Sequence, residues 1–474
     1  MKEYDLILVG TGSGMYIVDA LLKKNPELRV AIIEKDEPGG ICLTRGCIPT
    51  KLLLYPAELV TLVRDASKFG IEIKTMRIDF EKVMRRMREK IDHEIEQIHH
   101  GLSHHKNIDF YPTVGEFIKP YVLKVGNELI TSKTILLCTG SRPAIPPIKG
   151  IEKVRYHTSD TILHITKLPK TLAIIGGGYI AAEFGHFFST MGSKVTIIGR
   201  NPQFLPDEEP EIATAARKIL SAAMNIYTNY EVIELQQTLT NKKRIVAIER
   251  KSKKVEVFEA EEVLIATGRA SNSDLLHPEK AGIKTNKNGW IVVDEFLQTS
   301  QPGVWAFGDC IGKYQFKHVA NYEAMIVYYN LLSKQPVAKV DYHAVPRAVF
   351  TYPEIASVGL RESECIEKYG KDDLLIGFYK YEDTAKGDAM AIKDCFVKVI
   401  VRKESLEILG AHIVGPYASI LIQEIVNLMY TPDRSAVPLI QSMHIHPALS
   451  EVVERALNSL MPIEHYHHIL AHHM

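Results

Sequence analysis

Two distant stretches of the chain share one pattern, and that pattern constrains the fold more than any other feature. The first reads Leu6-Ile7-Leu8-Val9-Gly10-Thr11-Gly12-Ser13-Gly14-Met15, and the second Leu172-Ala173-Ile174-Ile175-Gly176-Gly177-Gly178-Tyr179-Ile180-Ala181. Each predicts a short apolar strand, a glycine turn and a helix. A second apolar run follows in both, Val30-Ala31-Ile32-Ile33-Glu34 and Val195-Thr196-Ile197-Ile198-Gly199. A strand–turn–helix–strand unit of this kind holds a dinucleotide: the glycine backbone approaches the pyrophosphate, and the helix N-terminus faces its charge. One glycine-rich turn is weak evidence, but two in the right context predict an α/β chain with two Rossmann-like domains. The third glycine of the motif is replaced by Met15 and Ala181. Methionine there predicts a looser helix–strand contact in the first unit.

The ends of the second strands differ. Glu34 stands 24 residues after Gly10, where a carboxylate accepts hydrogen bonds from an adenosine ribose. The matching position, 23 residues after Gly176, is Gly199, followed by Arg200. A ribose 2′-phosphate repels a carboxylate and attracts a guanidinium. The first unit is therefore expected to bind FAD, and the second to favour NADPH over NADH. Strand-like runs close on Cys138-Thr139-Gly140 and Ala266-Thr267-Gly268, where the chain can cross between domains, and Gly140 and Gly268 are assigned to cofactor contact. Gly308-Asp309 ends a later strand, with Asp309 placed to hold a ribityl hydroxyl or to cap a turn.

Residues 76–106 predict a long charged amphipathic helix. From residue 339 the texture changes to strands followed by helical patterns near 418–430 and 450–460, a separate α+β domain. The expected organisation is a FAD-binding domain in two parts, 1–150 and 268–338, with an NAD(P)H-binding domain at 151–267 and a C-terminal domain at 339–474.

Six cysteines in 474 residues are too sparse and irregular for a secreted disulfide framework. Cys138, Cys310, Cys365 and Cys395 read as inert buried thiols. Cys42 and Cys47 do not. They lie in Gly39-Gly40-Ile41-Cys42-Leu43-Thr44-Arg45-Gly46-Cys47-Ile48-Pro49-Thr50-Lys51, just after the first ribose-binding strand. A helical spacing allows a small disulfide, with Gly40 and Gly46 permitting the distortion. A helix N-terminus and Arg45 favour thiolate, and Lys51 follows Cys47 by one helical turn. Zinc fits poorly, because no second cysteine pair stands at ligand spacing. An acid–base group is offered by His444-Ile445-His446-Pro447-Ala448-Leu449-Ser450-Glu451. Pro447 can start a helix, and Glu451 can orient the His446 imidazole, which favours His446 over His444.

In these motifs, taken in order along essentially the whole chain, the sequence resembles the pyridine nucleotide–disulfide oxidoreductase family. The resemblance implies FAD, a nicotinamide cofactor and a homodimer joined through the C-terminal α+β domain. It implies that Cys47 faces the flavin, that Cys42 exchanges with a small disulfide or dithiol substrate, and that Lys51 pairs with Glu183. It further implies that His446 and Glu451 serve the partner's site. Mercuric reductases are similar around the cysteines but carry a C-terminal cysteine pair that is missing here. Mycothione reductases are similar in Gly10 to Gly14, in Ile445 to Leu449 and in Arg200. Dihydrolipoamide dehydrogenases are similar in overall pattern but carry a carboxylate where Gly199 stands. The expectation is an NADPH-preferring reductase of a low-molecular-weight disulfide, with dihydrolipoamide oxidation as the alternative.

Lys plus Arg equals Asp plus Glu at 57 each, so charge calls for no nucleic-acid partner. The N-terminus reads as lacking a leader, no run reads as a membrane span, and a cytoplasmic setting is expected. His468 and His472 in the tail stand at i,i+4 spacing, which offers a different possibility, a metal- or partner-binding flavoprotein.

Overall fold

The computed structural model describes residues 1–333 and 335–473, without the side chains of residues 472 and 473. The first glycine-turn strand, Leu6–Val9, is central in a five-stranded parallel sheet. Its neighbours are Val30–Ile33 and Ile135–Leu137, with Ile108–Tyr111 and Val304–Ala306 at the edges. Leu6–Val9 and Val30–Ile33 are buried at every position. Helices or other sheets cover both faces, which explains why these strands read as continuous apolar runs rather than alternating ones.

The second sheet repeats the plan. Thr171–Ile175 lies between Lys194–Gly199 and Glu262–Ile265, with Asn225–Thr228 and His157–Thr158 outside them, again all parallel. An antiparallel three-stranded sheet, Tyr230–Gln237, Lys243–Glu249 and Val255–Ala260, precedes Glu262–Ile265 in the chain. The two crossings between the dinucleotide units meet. Ser141–Pro143 pairs antiparallel with Arg269–Ser271 as a two-stranded ribbon.

The C-terminal region is a six-stranded antiparallel sheet in the order Arg347–Val349, Glu354–Gly359, Ile408–Gly415, Phe396–Arg402, Leu374–Lys380, Met461–Pro462. Helices Ala418–Met429 and Glu451–Asn458 pack on it around Ile425, Val426, Val452 and Val453. The charged stretch near residue 90 forms one helix, Phe80–His104, capped by Asp79, whose Oδ1 accepts from the Lys82 N–H at 2.9 Å.

Two local expectations are corrected. The first glycine turn is tight despite Met15. A side chain at Gly14 would put its Cβ 2.4 Å from Leu8 Cδ1 and 2.7 Å from Cys138 Sγ, so Gly14 provides the close helix–strand approach. Pro447 does not start a helix, since the helix begins at Glu451. The helical stretch Gly40–Phe69 is also long and apolar enough to span a membrane by composition. Here it packs on the helix Tyr179–Met191 and carries Cys47 and Lys51 into a cavity wall.

The second unit and the C-terminal region are joined by a buried charge cluster. Lys398 Nζ lies 2.6 Å from Glu209, 3.0 Å from Glu211 and 2.7 Å from Glu362. Lys398 is fully buried, so removing its charge strands three carboxylates. Lys398→Met is expected to cost about 3–5 kcal/mol, read as a lowered urea midpoint.

Candidate functional site

The strand ends and glycine turns leave a cavity of about 1040 Å³ between the first unit, the helix Tyr179–Met191 and the start of the C-terminal region. Gly10, Gly12, Glu34, Cys42, Cys47, Lys51, Gly140, Glu183, Gly308 and Asp309 line it. Gly14, Gly176, Gly178, Arg200, Gly268, His446 and Glu451 do not.

The turn at Gly10 has φ +99°, and a Cβ there would sit 2.3 Å from the Cys138 carbonyl oxygen. Gly176 repeats this in the second unit, with φ +132° and 2.1 Å to the Ala266 oxygen. Each turn is thus pressed against the strand end that leads into a crossing. Glu34 is fixed beside the first turn. Its Oε2 accepts from the Thr11 N–H at 3.0 Å and the Thr11 hydroxyl at 2.8 Å, and its Oε1 accepts from the Asp36 N–H at 3.1 Å. A Cβ at Gly12 would meet nothing within 4 Å, so backbone faces open cavity at that point. A helix N-terminus, an exposed glycine backbone and an anchored carboxylate at a strand end fit an FAD pyrophosphate and ribose. At the other end Asp309 Oδ2 accepts from Ser141 Oγ at 2.6 Å, and Arg269 Nε lies 3.8 Å from it.

Cys42 and Cys47 are two thiols on different helices. Cys42 belongs to the short helix Gly40–Thr44, and Cys47 is the first residue of Cys47–Asp65. The chain breaks between them at Arg45 and Gly46, where a Cβ on Gly46 would lie 2.8 Å from the Ile41 oxygen. The hydrogen bond from the Cys42 thiol brings Cys47 down to about 7 against burial, with the Lys51 charge helping. The same bond, with burial, pushes the Cys42 thiol well up. Cys47 is therefore the thiolate of the pair. Arg45 is not its counter-charge, contrary to expectation. Its guanidinium pairs with Asp36 at 2.6 Å and Asp160 at 3.3 Å.

Lys51 Nζ lies 2.9 Å from Glu183 Oε2 and 3.0 Å from Oε1. The Phe350 N–H donates to Glu183 Oε1 at 3.1 Å, and the Phe350 ring stands 4.3 Å from Lys51 Nζ. Neither Phe350 nor Lys317 stands out in the sequence. Lys317 opens the helix Lys317–Leu332, lines the same cavity and donates to Ser13 Oγ at 3.0 Å. Its charge acts to lower the Cys42 thiol. Only the approach of two remote helix starts makes it visible, and no local motif encodes that.

His446 and His444 separate clearly. The His446 side chain is 66% exposed, with Nδ1 2.9 Å from Glu451 Oε1. A carboxylate only accepts, so Nδ1 carries a proton and, in the neutral imidazole, Nε2 is the basic nitrogen. Glu451 Oε2 accepts from the Ala448 N–H at 3.0 Å, and the carboxyl is held down at about 2, chiefly by His446. His444 is largely buried, with Nε2 3.9 Å from Glu424.

In the second unit a Cβ on Gly199 would lie 3.3 Å from the Gly177 Cα, so strand end and glycine turn approach each other closely there. Arg200 is exposed, and its side chain makes no hydrogen bond or ion pair among the described residues. In the tail, His467 Nε2 bonds Glu362 Oε1 at 2.6 Å, while the His472 side chain lies outside the described residues.

A pyridine nucleotide-disulphide oxidoreductase family model matches residues 4–324, and the corresponding dimerisation-domain model matches residues 345–457. The chain belongs to the pyridine nucleotide-disulphide oxidoreductase family. It is similar to mycothione reductase of Mycobacterium tuberculosis, 38% identical across 97% of this chain and 100% of that protein. Dihydrolipoyl dehydrogenase of Chlamydia trachomatis is 33% identical across 95% of both. Among solved structures, the Cu(II) complex of the HOCl-induced flavoprotein disulfide reductase RclA from Escherichia coli superposes with a TM-score of 0.86 at 29% identity, covering 97% of this chain and 99% of that one. The protein is an FAD-dependent disulfide oxidoreductase that uses NAD(P)H.

Lys51→Met removes the cation beside Cys47. The alkylation rate of the reduced enzyme should then rise with pH only above the value of about 7 set by the wild-type site. At neutral pH the variant is expected to react about fivefold more slowly, measured with iodoacetamide.

Proposed function

We propose that the protein is an NADPH-preferring reductase of a low-molecular-weight disulfide of the mycothione class, working as a homodimer with shared active sites. The observation that carries the chemistry is one cavity that sets the Cys42–Cys47 dithiol beside the Lys51–Glu183 pair, between two glycine-turn units. The 38% identity to mycothione reductase over nearly the whole chain supports the substrate class. Gly199 and Arg200 support NADPH.

Bound FAD supplies the two-electron relay between the nicotinamide and the Cys42–Cys47 disulfide. The glycine turn at Gly10, Glu34, Gly140, Gly308 and Asp309 would hold it; the Gly176–Gly178 turn, Gly268 and Arg200 would hold the nicotinamide cofactor. In the reduced enzyme Cys47 is the resting thiolate, and Cys42 stays protonated until a base acts on it. Among the described residues the cavity holds one histidine of its own chain, His318, but its Nε2 is engaged by the Pro346 carbonyl oxygen at 2.8 Å. His446 is exposed on the dimerisation domain with Nε2 free, so it acts in the partner's cavity, positioned by Glu451. His446 takes the Cys42 proton. The Cys42 sulfur attacks the substrate, whose S–S bond breaks, and the first thiol departs with the proton from His446. Cys47 then attacks Cys42, the second thiolate leaves and takes a proton from solvent, and the Cys42–Cys47 disulfide closes. The substrate gains two electrons and two protons.

NAD-linked oxidation of dihydrolipoamide is the second reading, favoured by the 33% relative. Kinetics with NADPH and NADH against mycothione and lipoamide decide between the two; NADH preference with lipoamide turnover overturns the first.

Cys42→Ser is expected to abolish disulfide turnover while FAD stays bound and NADPH still reduces ferricyanide. His446→Gln should lower disulfide turnover about 100-fold. Mixed dimers of the two variants should recover activity, because each contains one intact composite site. No recovery would show that His446 serves its own chain.

A further inference from the structure

In a strand–turn–helix–strand unit the end of the second strand is where the adenosine ribose is recognised, and here that strand is Lys194–Gly199. A hairpin from elsewhere in the same unit closes on that point. It joins Lys243–Glu249 to Val255–Ala260 and carries Arg250, Lys251, Ser252, Lys253 and Lys254, all exposed.

The hairpin tip is built rather than loose. The Glu249 carboxylate accepts from the Lys251 N–H at 3.2 Å, from the Ser252 N–H and from the Asn229 side-chain amide. The Arg250 N–H donates to the Asn229 oxygen at 2.8 Å, and the Asn229 N–H to the Asn201 oxygen at 2.7 Å. Two backbone bonds therefore lock the tip to the residue that follows Arg200.

The Arg250 side chain completes the link. Its Nη1 donates to the Arg200 carbonyl oxygen at 3.0 Å, which brings the two guanidinium-bearing residues together at one turn. Its Nε stands 3.8 Å from Glu231 Oε2, a half-exposed pair of little worth. Its Nη2 makes no hydrogen bond among the described residues. Glu231, Glu249 and Glu256 are carboxylates around the hairpin, of which Glu249 is engaged by the backbone and Glu256 by the Tyr230 hydroxyl. Arg200, Arg250, Lys251, Lys253 and Lys254 outnumber them.

A phosphate monoester carries more than one negative charge and several acceptor oxygens. One exposed arginine holds such a group weakly, while a second guanidinium anchored at a fixed place adds hydrogen bonds at little entropic cost. We infer that Arg250 is a second determinant of 2′-phosphate recognition. It braces the Arg200 turn through Nη1 and offers Nη2 to the phosphate, with the hairpin lysines raising the local potential. This inference rests on the NADPH preference proposed above.

The test is calorimetric titration of the FAD-loaded enzyme with adenosine 2′,5′-bisphosphate and with adenosine 5′-monophosphate. Arg250→Ala is expected to weaken the bisphosphate about tenfold and leave the monophosphate unchanged. Arg250→Gln, which keeps a polar side chain but drops the charge, is expected to show the same selective loss. Unchanged bisphosphate binding in both variants overturns the inference alone, provided the wild type discriminates between the ligands. Equal weakening of both ligands also overturns it, because Arg250 then only supports the turn. A wild type that binds both equally removes the NADPH preference and this inference together.

Discussion

Three parts of the chain meet at one carboxylate. Glu183 comes from the helix after the second glycine turn, Lys51 from the helix that begins at Cys47, and the Phe350 N–H from the entry to the C-terminal sheet. Glu183 is nearly buried. A buried carboxylate is costly unless it is paired and hydrogen-bonded, so the two units and the C-terminal region must close on each other to satisfy it. The closure that settles this charge also sets Lys51 next to Cys47. Folding energetics and thiol chemistry depend on the same contact.

The asymmetry between the cysteines follows from their surroundings. Cys47 gains a helix start, a lysine and a hydrogen bond from its neighbour, while Cys42 is the donor and keeps its proton. A pair of identical side chains thereby becomes one stable thiolate and one thiol that waits for a base. His446, the base proposed for it, lies within the residues matched by the dimerisation-domain model, is already paired with Glu451, and stands outside the cavity of its own chain.

Much of this was legible from residue order. Both glycine turns, the strands around them and the long helix near residue 90 correspond to features of the structure, and the Lys51–Glu183 pairing that the family resemblance implies is present as an ion pair. Strand runs and helix periods are local, so sequence carries them directly. What was missed is non-local. Arg45 is spent on Asp36 and Asp160, Lys317 reaches the cysteines from a helix in another part of the chain, and Phe350 arrives through its backbone. The break at Gly46 replaced the single distorted helix expected there, because the Ile41 oxygen leaves no room for a Cβ. Met15 misled for a related reason: the close approach had moved to Gly14.

The ribbon formed by Ser141–Pro143 and Arg269–Ser271 brings the two crossings side by side. The intervening chain thus leaves and returns through one stem, while Glu183 and the Lys398 cluster tie it to the rest of the molecule. Its departure and return points are fixed by three residue pairs, independent of what lies between them. Evolution can then retune the turn at Gly199 and its hairpin, neither of which lines the cysteine cavity, while Glu183 of the same segment keeps its contact with Lys51. The Gly199 turn and the cysteine turn are thus free to vary separately within one polypeptide.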